Sequence, residues 1–303
     1  RDDAIVFLPS AASRELALLT KRSDINYPLN SKISKPSAYW SCYFACFVLV
    51  LINRGKYVNT VEVKAEILAA LRETLSPRLH STPVLRSFID DFAACEITRP
   101  KVQAQAHAHG DLPDAVAEYL PDLMATMSVQ PLAQMFKSYF PQISWYQIFR
   151  GNSRSSAFNQ GLIAAQLVGG NGLLHTETLY LGLFLLAPNI TYPLHQHAAT
   201  ELYYVLSGSV AIRHGRFAEA RHLGRDDFSV TAPHQVHELK TDKQPCLMAY
   251  VWTDDLTPQN WWWEQLGDGT WTRICWARTS AGDWSMLRRE ALSDAEISRA
   301  GDT

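Results

Sequence analysis

The chain has 303 residues, of which 47% are hydrophobic and 19% charged, a balance typical of a folded globular protein that excludes wholesale disorder. Its formal net charge is −2, so the chain as a whole has no electrostatic reason to bind nucleic acid or an anionic membrane. At roughly 100–200 residues per domain, the length allows two domains, or one domain with a large extension.

The chain begins at Arg1 rather than Met, so we expect that residues upstream have been removed. A cleaved signal peptide would leave no trace here, and a soluble, cytoplasmic protein is the location we favour. The longest apolar run, residues 38–52, is shorter than the roughly 20 residues that cross a bilayer. We therefore predict a buried segment there and no membrane span.

The next part of the chain has helical periodicity. Residues 60–76 carry apolar side chains at three- and four-residue spacing, which predicts an amphipathic helix; they are Val63, Ile67, Leu68, Leu71 and Leu75. A second helix is expected after Ser81 or Thr82 as N-cap, with Pro83 in its first turn. Two shorter helices are predicted within 111–128 and 130–140. Between the two pairs, residues 99–111 form a polar linker.

That linker contains His107 and His109 with no third ligand nearby in sequence. A metal site needs three or four ligands, so we interpret this histidine pair as linker surface.

From about residue 171 the pattern changes to short segments rich in β-branched and aromatic residues, bounded by Gly, Pro, Asp or Asn. Several short strands in succession predict a sandwich or small barrel. The tail, 283–300, is predicted to return to helix. The expected fold class is α+β, with a helical region over 1–165, a β-barrel over 166–282 and a C-terminal helix or tail over 283–303.

The chemistry is concentrated in residues 191–215. His195 and His197 are two residues apart, so on a strand their side chains point to the same face. Glu201 follows four residues later, and His237 comes at the end of a later predicted strand. Three imidazoles and one carboxylate that converge in a barrel suit a divalent first-row metal such as Zn, Fe, Mn, Ni, Co or Cu.

The pattern H-x-H-x3-E-x6-G followed by a later His resembles the metal-binding motifs of cupins. His195, His197, Glu201 and Gly208 match the first motif, and His237 matches the second. The sequence departs from the family at two turns. Asn189 stands where a glycine is usual, and the Pro-x-Gly of the second motif is replaced within residues 232–237. The resemblance implies a single cupin barrel that holds one metal through the three histidines and the glutamate.

Residues 172–255 resemble a narrower group, the cupin dimethylsulfoniopropionate (DMSP) lyases, which also carry a helical region before the barrel. The resemblance rests on Y-P-x-H-x-H-x3-E-x-Y, a strand ending in A-P-x-x-x-H, and the run A-Y-V-W-T-D-D. It implies Tyr203 as the catalytic base, Tyr192 as a second tyrosine of the pocket, and Trp252 at a position where an aromatic residue is typical.

The chemistry of such a lyase is compatible with these residue types. A metal that binds the substrate carboxylate would stabilise charge that develops at the α-carbon, and a tyrosine near a dication has a lowered pKa. The cationic sulfonium should prefer aromatic faces, for which Tyr192, Tyr204, Trp252 and residues 261–263 are candidates. The expected partner is therefore a small sulfonium carboxylate, with zinc favoured as the metal and a homodimer as a candidate assembly.

Two other classes of function stay open on this sequence. An Fe(II)-dependent oxygenase would use the same ligands and consume oxygen without needing Tyr203, and a related cupin lyase or isomerase could act on another small carboxylate. A non-catalytic metal- or ligand-binding cupin is the third possibility.

Overall fold

A computed structural model describes residues 59–98, 113–150, 156–279 and 283–300. The predicted buried segment over 38–52 and the pair His107 and His109 lie outside these ranges. None of the helices in the described ranges is long and apolar enough to cross a membrane.

In the described ranges, four helices precede the first strand, and a fifth, short helix leads into the second strand. Their bounds are α1 Thr60–Leu75, α2 Leu85–Ala94, α3 Asp114–Ala125, α4 Pro131–Tyr139 and α5 Ser156–Gly161. Asn59 caps α1, since its side chain accepts a hydrogen bond from the Val61 amide. The inner faces of α1, α2 and α4 share a fully buried apolar core that includes Ile67, Leu71, Leu75, Phe88, Phe92, Leu132 and Phe136.

The predicted start of α2 is wrong. The helix begins at Leu85, after Val84, and no side chain caps it. Ser81 instead donates its hydroxyl to the Arg78 carbonyl, and the Thr82 amide bonds the same carbonyl. Residues 81–84 thus continue the turn that follows α1, and their hydrogen-bonding groups are already used there.

Two antiparallel sheets form a sandwich of the jelly-roll type. The first sheet has six strands in the order β1-β2-β3-β10-β5-β8, and the second has seven in the order β13-β12-β11-β4-β9-β6-β7. The strands are β1 Trp145–Gln147, β2 Leu162–Val168, β3 Tyr180–Leu186, β4 Thr191–Gln196, β5 Ala199–Gly208, β6 Val210–His214, β7 Arg221–Leu223, β8 Phe228–Thr231, β9 His237–Lys240, β10 Cys246–Asp254, β11 Gln259–Gln265, β12 Trp271–Arg278 and β13 Trp284–Ala291. The predicted α+β class, with a β-barrel behind a helical region, is confirmed.

Strands β2, β3 and β5 are buried along nearly their whole length. Both faces of the first sheet are covered, because its inner face lies against the second sheet while α2 and α3 contact the outer side at β10 and β5. Residues that alternate along β5 therefore point either into the sandwich or towards the helices.

The helices and the barrel are joined at Arg78. Its guanidinium donates to the carbonyls of Thr74 and Asp226 and lies over the rings of Tyr204 and Phe228. Ser128 and Tyr204 both donate their hydroxyls to the Asp226 carboxylate. This cluster gathers groups from three parts of the chain around one turn of the barrel.

The prediction of a helix over 283–300 is wrong for most of its length. Residues 284–291 form β13, which pairs antiparallel with β12, and only Asp294–Arg299 form a helix, α6. Pairing with β12 gives the backbone N–H and C=O groups along one edge of β13 hydrogen-bond partners. A short, solvent-exposed helix is only marginally stable by itself, so the paired strand is the more stable alternative. α6 starts with a capping box of Ser293 and Glu296.

Behind α6 lies a small apolar cluster on the outer face of the second sheet. It is formed by Leu194, Val236, Trp263, Leu292 and Ala300, with Trp271 and Ile297 packed against it. Leu194 points into this cluster while His195, the next residue on β4, points into the sandwich. The predicted division of the chain at 165/166 stays a prediction, and β1 and part of β2 lie before it.

Candidate metal centre

Three neighbouring strand segments bring the predicted ligands together. His195 lies on β4 opposite His237, the first residue of the paired strand β9, and His197 directly follows β4. One ring nitrogen from each histidine lies within 4.8 Å of the others. A carboxylate oxygen of Glu201, on β5, lies 3.2 Å from His197 Nε2 and 3.3 Å from His237 Nε2. All four predicted ligands thus meet inside the sandwich.

Burial of this cluster is nearly complete, since none of the four side chains is more than 2% exposed. Burial, followed by the charges of His237 and His197, lowers the pKa of His195 well below its usual value, so its imidazole is neutral. Burial would raise the pKa of Glu201, but the charge and hydrogen bonding of His197 and then of His237 outweigh it and lower that pKa. Neutral imidazoles and an ionised carboxylate are the protonation states that bind a metal ion.

The backbone sets the tautomers of the three histidines. In each ring Nδ1 faces a main-chain carbonyl two residues away: 2.7 Å from Pro193 O for His195, 3.1 Å from Ala199 O for His197 and 2.9 Å from Gln235 O for His237. A carbonyl accepts only, so each Nδ1 carries a hydrogen, which leaves Nε2 as the ring nitrogen through which each imidazole could bind a metal ion.

The donor set fits a divalent transition metal. Among the described residues, Nε2 of His237 is buried and has the Glu201 oxygen at 3.3 Å but no hydrogen-bond partner of normal geometry, which is the state expected of a nitrogen that binds a metal. Histidines held through Nδ1 by carbonyls are the usual outer support of such sites. His195, His197, Glu201 and His237 would hold the ion.

Trp252 supports two of these ligands. Its indole Nε1 donates to the second Glu201 oxygen at 2.5 Å, and its ring stacks on His197 with centroids 4.3 Å apart. It lies on β10 directly opposite Glu201, so cross-strand pairing accounts for the contact. The sequence singled out Trp252 as a pocket residue, and the structure places it beside the ligands while leaving it partly exposed.

Tyr203 and Tyr192 both lie against the cluster. Tyr203 shares the inner face of β5 with Glu201 and donates its hydroxyl to that carboxylate. Burial, followed by the charge of Glu201, raises the pKa of Tyr203 well above its usual value. Tyr192 stacks on His195 with ring centroids 3.7 Å apart, and its hydroxyl accepts a hydrogen bond from Asn260 at 2.7 Å. Burial also raises the pKa of Tyr192.

Tyr204 is not brought to the site. As the neighbour of Tyr203 on a strand, it points to the opposite face, where it hydrogen-bonds Asp226 and lies under Arg78. Tyr204 therefore does not line the pocket as expected, because neighbouring residues on a strand point to opposite faces of the sheet. Of residues 261–263, Trp262 points inward towards Phe149 and Tyr192, while Trp263 joins the outer cluster behind α6.

Several residues of the site carried no signal in the sequence. Phe149 packs edge-on to Tyr192 and Trp262, and Asn260 binds the Tyr192 hydroxyl. Tyr180 stacks on Trp252. Tyr180 and Asn260 lie on strands, so the two-residue alternation of a strand could have predicted that each points to an inner face. The sequence does not show which strands are neighbours, and therefore not which of these side chains meet.

Comparison with known proteins gives concordant matches. Residues 101–248 match the family model of dimethylsulfoniopropionate lyase. The DMSP lyase DddQ of Ruegeria pomeroyi is 25% identical over 145 residues, which are 48% of this chain and 71% of DddQ. A putative DMSP lyase, DddL of Cereibacter sphaeroides, is 36% identical over 97 residues, 29% of this chain and 37% of that protein.

Among solved structures, the DddQ crystal structure from Ruegeria pomeroyi aligns with a TM-score of 0.44 and 19% identity, over 64% of this chain and 94% of that one. The family model and the two sequence relatives, rather than this alignment, carry the comparison. Residues 101–248, just under half of the chain, are similar to the dimethylsulfoniopropionate lyases.

Proposed function

We propose that the protein is a metal-dependent lyase that converts dimethylsulfoniopropionate to dimethyl sulfide and acrylate. The observation that carries the proposal is the contact between Tyr203 and Glu201: a buried hydroxyl lies beside a candidate ligand set of three imidazoles and one carboxylate. The family match supports the carbon–sulfur lyase class, and the two sequence relatives are named for this substrate.

The reaction is a β-elimination, in which the bond changes balance without a redox partner. The α-C–H bond breaks and its electron pair forms the Cα–Cβ double bond. The Cβ–S bond breaks, and its pair leaves with sulfur as neutral dimethyl sulfide. A divalent ion bound at the histidines would withdraw electron density from the substrate carboxylate and so acidify the α-carbon.

Tyr203 is our candidate for the base that receives the α-proton at its phenol oxygen. Its hydroxyl lies on the inner face of β5 and contacts the candidate ligand Glu201, so a substrate whose carboxylate bound the metal would have its α-carbon near this hydroxyl. With the site free of metal the Tyr203 pKa is raised, and a dication nearby favours the phenolate.

Tyr192 is our candidate for a second tyrosine of the pocket, with a supporting role. Its hydroxyl is held by Asn260, and its ring covers one face of His195. Both contacts fix the orientation of a metal ligand, whereas Tyr203 points its hydroxyl at the ligand cluster itself.

Zinc is the ion that we propose, because imidazole and carboxylate ligands suit it and an elimination needs no redox change. A homodimer and a cytoplasmic location stay predictions.

Headspace gas chromatography for dimethyl sulfide tests the function. Metal-stripped protein is reloaded separately with Zn, Mn, Fe(II), Ni and Co and incubated with the substrate at pH 8, while metal content is measured by plasma mass spectrometry. We expect release of dimethyl sulfide from loaded protein above the stripped control. An oxygen electrode run in parallel separates this outcome from oxygenase chemistry, and loaded protein that releases none would reject the lyase.

The variant Tyr203→Phe tests the base. Loss of a general base typically lowers the rate by about 10²–10⁴-fold, so we expect kcat to fall by that amount with metal content unchanged. Tyr139→Phe is the matched control, because it also removes the hydroxyl of a buried tyrosine, which donates to the exposed Glu66 in the helical region. Full activity in Tyr203→Phe would exclude it as the base and direct attention to Tyr192.

A further inference from the structure

One row of residues crosses the inner face of the first sheet next to Tyr203. In the strand register, Tyr203 on β5 lies opposite Tyr250 on the neighbouring strand β10. The row continues across the sheet with Gly182 on β3 and Gln166 on β2. Directly opposed residues point to the same face of a sheet. Tyr250 therefore points into the sandwich beside the candidate base.

The ring of Tyr250 lies across β3 over Gly182. A Cβ added at Gly182 would come within 2.7 Å of Tyr250 Cε1, 2.8 Å of its hydroxyl oxygen and 2.2 Å of the Ala165 carbonyl oxygen. Only glycine leaves this space, so the hydroxyl of Tyr250 reaches Gln166 and Tyr146 on the strands beyond.

The hydrogen bonds that hold Tyr250 run in one direction. The Asn171 backbone amide donates to Gln166 Oε1 at 2.7 Å, which leaves the Gln166 amino group to donate to the Tyr250 oxygen. The Tyr250 hydroxyl in turn donates to Tyr146. Because a backbone amide can only donate, it fixes the direction of these hydrogen bonds and with it the direction in which the Tyr250 hydroxyl proton points.

Tyr250 also faces accessible space. Tyr180, Tyr250 and Trp252 are partly exposed although they point inward, whereas Tyr203 and Gln166 are only 3% and 5% exposed. Trp252 is covered by His197 and Tyr180, and the Tyr146 face by Arg278. In the part of the chain that the structure describes, no other ring and no guanidinium stacks on Tyr250.

We propose that Tyr250 contacts the substrate and determines its specificity, with its ring receiving the cationic sulfonium end while the carboxylate lies at the histidines. The inference rests on the proposed function and adds the recognition of positive charge. A cation over an aromatic face is attracted by the negative charge of that face. Arg278 over Tyr146, with its charge 5.1 Å from the ring centre, already uses this interaction a strand away.

Binding of two isosteric ligands tests the proposal without turnover. Isothermal titration of the zinc-loaded protein compares 3-(trimethylammonio)propionate with its neutral isostere 4,4-dimethylpentanoate. We expect the wild-type protein to bind the cation about 5–30-fold more tightly than the neutral ligand. Tyr250→Phe should keep most of this ratio, whereas in Tyr250→Leu the ratio should be lower than in wild type by a factor of at least about 5. Tyr139→Phe is the control and keeps the wild-type ratio.

Graded fluorination of phenylalanine at position 250 preserves the shape of the ring and so keeps the test open if Tyr250→Leu does not fold. Affinity for the cation should fall stepwise as fluorine removes negative charge from the face, while affinity for the neutral ligand stays level. Equal loss of both ligands, or no dependence on fluorination, would overturn the proposal. A wild-type protein that selects the cation yet releases no dimethyl sulfide would reject the proposed reaction and leave the role of Tyr250 standing.

Discussion

The indole of Trp252 shows how a single side chain beyond the ligands can tune the centre. It donates to the Glu201 oxygen that does not contact the histidines, and its ring supports His197. Outer partners of this kind typically contribute about 10–100-fold to metal affinity. Trp252 therefore contacts two of the proposed ligands at once, from the strand next to Glu201.

Trp252→Phe keeps an aromatic ring but removes the indole donor. We expect zinc affinity, measured by competition with a chromophoric chelator, to fall by about 10–100-fold. Trp271→Phe is the matched control, because Trp271 packs in the apolar cluster behind α6, on the outer face of the second sheet. Equal zinc affinity in wild type and Trp252→Phe would show that Glu201 does not depend on this hydrogen bond.

Among the elements, the connection from β5 to β6 depends on Gly208. Its φ of +76° is a conformation that L side chains rarely adopt, and an added Cβ would lie 2.0 Å from the Pro245 carbonyl oxygen. β5 carries both Glu201 and Tyr203 and pairs with β10 along its whole length. The turn therefore fixes the end of the strand that bears Glu201 and Tyr203.

Gly208→Ala should lower the free energy of unfolding by at least about 2 kcal/mol, since it combines backbone strain with a clash against main chain. Urea denaturation followed by tryptophan fluorescence measures this loss. Gly170→Ala should be close to neutral, because a Cβ there meets nothing within 4 Å. Similar values for the two variants would mean that the turn relaxes freely.

Across the whole molecule, Arg78 ties the helical region to the barrel. Replacing it by Met retains most of the side-chain length but removes donors to two carbonyls, one at the end of α1 and one in the barrel turn at Asp226. We expect a loss of about 1–3 kcal/mol and faster amide exchange in α1 and α2. Arg72→Met, at an exposed position of α1, should change neither quantity. Unchanged exchange in Arg78→Met would show that the helices do not need this contact.

The stability of the metal-free protein should also depend on pH. Burial lowers the pKa of His214 to about 4 and that of His195 well below its usual 6.5. The unfolded chain then binds more protons than the native one, so stability is full above pH 6.5 and declines as the pH falls towards 4. Thermal unfolding of chelator-treated protein at stepped pH measures the slope, and His214→Gln should flatten it. A midpoint that is constant from pH 7 to 5 would contradict this expectation.

The sequence was most informative where short-range spacing decides the geometry. The separation of Glu201 and Tyr203 predicted that they share one strand face, and both lie on the inner face of β5. His197 directly follows β4 rather than lying on it, but it meets His195 in the same cluster, as predicted. The two departures from the cupin motifs also have an explanation in the backbone. Asn189 adopts a φ of 58° and His234 a φ of 60°, so residues that tolerate this conformation replace glycine at both turns.

Spacing could not reveal what depends on the order of strands. The inward row from Tyr203 through Tyr250 to Gln166 joins segments that are distant in sequence, and only the sheet topology makes them neighbours. The strand β13 was mistaken for helix because its edge position leaves four successive residues exposed, which removes the two-residue alternation on which strand prediction relies.

The carbonyls of Pro193, Ala199 and Gln235 that orient the three imidazoles have a consequence for variation. A main-chain oxygen is present whatever side chain the residue bears, so substitutions at these positions leave the acceptor in place as long as the path of the chain is kept. An insertion or deletion of one residue in the same segments moves the oxygen away and frees the ring to rotate. The centre is thus robust to point mutation around its histidines but vulnerable to changes in loop length.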